Sequence, residues 1–149
     1  MKNPRKNTTK ILFALVCASL LFGALSPVMA GEKAHRLVVQ VSTDDPQTQA
    51  IALNNVVNLQ KLYGIDNVAI EIVAYGPGLD LLTTKSKEAD RVKSLAMQNI
   101  TFSACGNTMD SIEKKTGKKP DLLEGVGTVQ AGVARIMSLQ EQGYSYLRP

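Results

Sequence analysis

Residues 36–46 read RLVVQVSTDDP, and this stretch decides the class of fold. Arg36 to Val41 is mostly apolar and β-branched, the composition of a strand buried on both faces of a sheet. The polar turn Ser42-Thr43-Asp44-Asp45 ends it. Asp45 can accept a hydrogen bond from the first free amides of a helix, and Pro46 suits the first helical position, where its missing N–H would be unpaired anyway. A helix is therefore predicted from Pro46, with Leu53, Val56, Val57, Leu59 and Tyr63 as its apolar stripe and Gly64 as its terminator.

The same unit repeats downstream. Val68 to Tyr75 (VAIEIVAY) reads as a second strand running into Gly76-Pro77-Gly78; Leu79 to Leu82 stays apolar, and helical periodicity resumes over Lys85 to Met97. Ile100 to Ala104 is a third strand that passes into Cys105-Gly106-Asn107-Thr108 and a short helix to Thr116. Leu122 to Val126 is expected as a brief strand. Thr128 is expected to cap a helix carrying Val129, Val133, Ile136 and Met137 on one face, ended by Gly143, before a last strand at Tyr144 to Leu147. Strands alternating with helices at this spacing predict an α/β domain with a mainly parallel sheet of four or five strands.

The 149 residues carry 17 Lys and Arg against 13 Asp and Glu, a net charge of +4, but Lys2, Arg5, Lys6 and Lys10 all lie in the first ten. An apolar run from Ile11 to Leu25 follows, then Pro27 and the small-residue site Val28-Met29-Ala30, the order of a secretory signal peptide. Its 15 apolar residues fall short of the roughly 20 that a bilayer-spanning helix needs. Cleavage is predicted after Ala30, leaving residues 31–149 as one domain in the periplasm or secreted, without a stable membrane anchor. An uncleaved anchor is the competing reading. Without residues 1–30 the chain holds 13 basic and 13 acidic residues, so the charge argument for nucleic acid disappears. Cys17 goes with the leader, and Cys105 and His35 are the single cysteine and histidine of the remainder. No intramolecular disulfide can form, so the domain must rest on its core.

Reactive groups in open parallel sheets gather beyond the carboxyl ends of the strands. Four segments are expected on that edge: Ser42 to Asp45, Gly76 to Gly78, Cys105 to Thr108, and Gly125 to Thr128. Cys105 stands out, because a cysteine at a strand-to-helix junction meets the amides that favour thiolate, the form that attacks electrophilic sulfur. The plainer alternative is a buried, inert cysteine. No Cys-x-x-Cys is present, which argues against a self-contained disulfide oxidoreductase. Gly76-Pro77-Gly78 and Gly125-Val126-Gly127 lack the further residues of a phosphate fingerprint and read as turns. Lys114, Lys115, Lys118 and Lys119 read as a solvated helix end. A copper site from Cys105, Met109 and His35 is a remote alternative, no other metal-ligand spacing occurs, and no cofactor is expected. Asn54, Asn55 and Asn58 face either solvent or the cysteine's rim.

The segments VVQVST, ALNNVVNLQ, IEIVAYGPGLDLL, ITFSACGNTM and VGTVQAGVARIMSLQEQGYSYLRP together resemble the DsrE/DsrF-like family, in particular its small exported members, over roughly residues 35–149. The resemblance implies a flavodoxin-like three-layer α/β sandwich and a homotrimer or homohexamer. It also implies a sulfur relay in which Cys105, the match to the family's cysteine in Ala-Cys-x-Asn-Thr, carries sulfane sulfur as a persulfide. Donor and acceptor would be thiols of small molecules or proteins. Gly106, Asn107 and Thr108 are then expected to support the thiolate, and Gly76, Pro77 and Gly78 to shape the pocket. The alternatives are a non-catalytic binding or assembly module with a structural cysteine, and a thiol-based redox or metal sensor.

Overall fold

The strands β1 (His35–Val41), β2 (Val68–Ala74), β3 (Ile100–Cys105), β4 (Val126–Val129) and β5 (Ser145–Leu147) form one sheet in the order β4-β3-β2-β1-β5. Every neighbouring pair is parallel. The structure is a computed structural model that describes Lys33 and residues 35–149; the leader read at residues 1–30 and its cleavage site lie outside the described residues. Four helices connect the strands: α1 (Pro46–Tyr63), α2 (Ala89–Ala96), α3 (Gly106–Thr116) and α4 (Gly132–Glu141).

The strand order dictates the layers. β1 to β4 step in one direction across the sheet, so right-handed crossovers place α1, α2 and α3 on one face. Leu53 of α1, Val92 and Leu95 of α2 and Met109 of α3 accordingly share a core with Val39, Ile70, Ile72 and Phe102. The chain then returns past β1 to form β5, which sends α4 to the opposite face, where Ile136 and Leu139 pack on Val38 and Val73. The result is the flavodoxin-like α/β sandwich, its two helical layers unequal in size.

The predicted helix start at Pro46 is present: the Thr48 amide donates to Asp45 Oδ2 at 2.8 Å. Several boundaries differ from expectation, each for a local reason. Leu79 to Leu82 belong to a 3-10 helix, Gly76–Leu82, that buries all its leucines. A Cβ on Gly78 would stand 2.3 Å from the Val41 carbonyl oxygen, so only glycine lets this turn lie against the end of β1. α2 starts at Ala89 rather than Lys85, because Thr83 and Ser86 hold the intervening residues in turns. The strand expected at Leu122–Val126 lies at Val126–Val129 instead: Leu122 makes only an antiparallel bridge to Thr83, and Gly125, at φ +83°, turns the chain first. Thr128 therefore sits inside β4 and caps nothing; Ala131 precedes α4 without a side-chain cap. Val133 and Met137, expected inward, are 60% and 58% exposed. Tyr63 is also exposed, stacked on His35 with ring centroids 3.8 Å apart.

Candidate functional site around Cys105

The connections after β3 and β4 leave on opposite sides of the sheet, α3 to one face and α4 to the other. This divergence is a topological switch point, the place where open α/β sheets form their crevices. Cys105, the last residue of β3, lies there. Its alternation along β3 puts it on the α4 face with Ser103, and the amide of Gly132, the first residue of α4, donates to Sγ at 3.3 Å. The start of α3 follows Cys105 directly. The sulfur thus meets the positive ends of two helices.

Burial opposes charge on this thiol, since Cys105 is 5% exposed and desolvation pushes its pKa up. Opposing that, the Thr108 hydroxyl and the amides of Gly132, Thr108 and Asn107 hydrogen-bond to the sulfur, and together they hold its pKa below the ordinary 9.0. The Thr108 hydroxyl is oriented for this task. Its Oγ1 accepts the Gly76 amide at 3.0 Å, which leaves its proton for the sulfur. Asn107 contributes least, its amide being shared with the Gln130 carbonyl at 3.0 Å. Gly106 acts by size: a Cβ there would stand 3.2 Å from the Val129 carbonyl oxygen. Gly132 is tighter still, with Tyr75 Cδ1 at 3.0 Å and Cys105 Cβ at 3.4 Å from the position a Cβ would take.

A polar cluster fixes α4 above this site. Arg135 donates from Nε to Glu71 Oε1 at 2.8 Å and from Nη2 to Oε2 at 2.7 Å, while Ser103 Oγ donates to Oε1 at 2.6 Å. Glu71 is buried in the middle of β2, and this two-point grip ties the first turn of α4 to the sheet. The helix turn that carries the Gly132 amide is the one so tied.

Of the expected site residues, Gly76, Asn107 and Thr108 meet the thiol or its donor. Pro77 lines a neighbouring groove, and Gly78 serves the packing of the turn. Gly125 to Thr128 do not join the carboxyl edge: Gly125 precedes β4 and the others form it, so Gln130 and Ala131 hold that place. His35 starts β1 at the amino end of the sheet, and Cys105 ends β3 at the carboxyl end, so the copper trio does not assemble. Among the described residues no three of His, Cys, Asp and Glu could hold a metal ion. Asn54 accepts from Arg91 Nη2 at 2.8 Å and links α1 to α2, away from the thiol. Gly132, Tyr75 and the Glu71–Ser103–Arg135 cluster are additions from the structure; glycine at the start of a helix was their only signal in the chain.

No family model matches the chain, and no curated protein does. Among solved structures it is similar to a protein of unknown function, MTH1491 from Methanobacterium thermoautotrophicum, with 35% sequence identity and a TM-score of 0.70 over 77% of this chain and 99% of that one. At that identity and coverage, the chain belongs to the same family as MTH1491.

Proposed function

We propose that the protein is a sulfur carrier whose Cys105 thiolate accepts sulfane sulfur as a persulfide and passes it to another thiol, acting as an exported homotrimer or homohexamer. The observation that carries this reading is the buried sulfur at the switch point, facing two helix N-termini and held below the usual cysteine pKa by the Thr108 hydroxyl and three amides. A lowered pKa raises the share of thiolate, the form that attacks a sulfane sulfur, and the same donors stabilise the persulfide anion it becomes. Exposed Val133 and Met137, one turn apart on α4, support assembly through that helix. The relay itself is suggested by the resemblance of ITFSACGNTM to the DsrE/DsrF-like family.

The test is to treat the purified protein with inorganic polysulfide and weigh it intact beside Cys105→Ser. One added sulfur, released by a reducing thiol and absent from the variant, is the expected result. No adduct on the native protein, with Cys105 closed to alkylation until unfolding, would establish the second reading. That reading, a binding or assembly module with a structural cysteine, is favoured by one observation, the 5% exposure of Cys105.

A further inference from the structure

A groove of about 800 Å³ lies between the 3-10 helix, α3 and the Lys118–Asp121 segment, and it reaches Asn107 and Thr108, which hydrogen-bond to the thiol, rather than Cys105 itself. One whole side of α3 lines it: Asn107 and Thr108 at the start, Ser111 and Ile112 in the middle, Lys115 and Thr116 at the end. One end of the groove is therefore built by two of the three residues that hydrogen-bond to Cys105, Asn107 and Thr108, while the third, Gly132, lies outside it. The other end is basic. Lys118 there is paired with Asp121 at 2.8 Å, and Lys119 with Asp110 at 2.9 Å. Lys85 and Lys115 hold no ion pair among the described residues, and of the groove's two carboxylates only Asp80 lacks one.

The spacing along α3 sets the size of what fits. From Asn107 to Lys115 the helix rises about 12 Å, which an extended peptide covers in about three or four residues. The chemistry is a sulfur at one end and negative charge at the other. We propose that the groove docks a short acidic peptide persulfide, about three residues long, with its sulfur at Thr108 and its carboxylates at Lys115 and Lys85. The proposal rests on the sulfur-carrier reading and names the class of donor. In the step, the Cys105 thiolate attacks the terminal sulfur of R–S–SH. Its lone pair forms the new S–S bond, the old S–S bond breaks with its electron pair on R–S⁻, and the leaving thiolate takes a proton from water. Cys105 is left as the persulfide, and no outside oxidant or reductant is consumed.

The experiment compares two donors on the protein expressed from its full sequence: glutathione persulfide, and the same compound with both carboxylates esterified. Their sulfur chemistry is alike and their charge is not. The rate of sulfur loading by intact mass should be about tenfold higher for the free acid, a preference equivalent to about 1.4 kcal/mol. Lys115→Glu should erase that preference, chiefly by lowering the rate with the free acid. Lys61→Glu, the same charge change at the end of α1, should preserve it. Equal rates for the two donors, or an equal loss in the Lys61 variant, would overturn the groove while inorganic polysulfide still loads Cys105. Failure of all three sulfur sources to load Cys105 would overturn the carrier reading and the groove with it.

Discussion

The two faces of the sheet solve the same burial problem by different means. Under α1, α2 and α3 the sheet presents Val39, Val41, Ile70, Ile72, Ala74, Phe102 and Ala104, an apolar surface with no polar side chain among them. Under α4 it presents Val38 and Val73 together with Gln40, Glu71, Ser103 and Cys105, all buried. Each of those polar groups has a partner: Tyr146 OH donates to Gln40 Oε1 at 2.6 Å, and Arg135 and Ser103 satisfy Glu71. The first face supplies stability without direction. The second gives up apolar area for hydrogen bonds that specify where one short helix sits, and that helix delivers an amide to the thiol. One face holds the fold, and the other aims the site.

Truncation on the apolar face should give the largest stability change and the smallest chemical one. Leu53, wholly buried on α1, is remote from the thiol, and Leu53→Ala should cost about 2–5 kcal/mol in lost transfer energy and residual cavity. Urea denaturation measures the loss. The alkylation rate of Cys105 in the folded variant should stay that of the native protein. A slowed thiol would show that the two faces are not separable.

Arg135→Ala reverses the pattern. It leaves the Glu71 carboxylate buried with Ser103 as its remaining partner; Arg135 itself is partly exposed, so a cost of about 1–3 kcal/mol is expected, below that of a fully buried pair. Here thiol reactivity at pH 7 should fall too, because the turn bearing the Gly132 amide is no longer tied to β2. Arg135→Lys should restore less than the full effect, since an ammonium cannot grip both oxygens at once. Unchanged reactivity with reduced stability would reduce the cluster to a fastening with no link to the site.

Thr108→Val is smaller in stability and local in effect. It keeps the shape but removes both the acceptor of the Gly76 amide and the hydroxyl on the sulfur, at about 1 kcal/mol of stability. The pH midpoint of alkylation should rise, and the rate at pH 7 should drop severalfold. Thr108→Ser, which keeps the hydroxyl, should recover the native midpoint.

What the chain discloses by itself follows the range of the interactions. Asp45 and Pro46 are legible as a helix start because the capping bond spans three residues. The apolar face is legible because its strands are dense in β-branched residues, and Cys105 because a strand end next to Gly106 is a local pattern. Glu71 and Arg135 stand 64 positions apart, and nothing in VAIEIVA marks its one acid as the anchor of a helix not yet made. β4 is misplaced by the pattern because VGTV is four residues long, half-exposed and interrupted by glycine, so no periodicity identifies it. The inward face of α4 is misjudged for a related reason. In ten residues with apolar side chains on several sides, the sheet beneath selects Ile136 and Leu139.

The finest test of the aimed face is the pH dependence of stability, because it reads the thiol without reacting it. The native pKa of Cys105 is lowered from 9.0. Between the lowered value and 9.0 the native state binds fewer protons at this site than the unfolded chain, so the site's contribution to stability rises with pH. It is fully present above 9.0 and is lost as the pH falls through the native value. Comparing urea stability with that of Cys105→Ala cancels the titration of every other group. The difference between the two proteins should therefore widen in favour of the native chain as the pH rises through the lowered native pKa toward 9.0, and level off above it. A difference that narrows as pH rises would mean that burial outweighs the Thr108 hydroxyl and the three amides. The polar face would then shelter a neutral thiol, and the comparison between the faces would lose its chemical half while keeping its structural one.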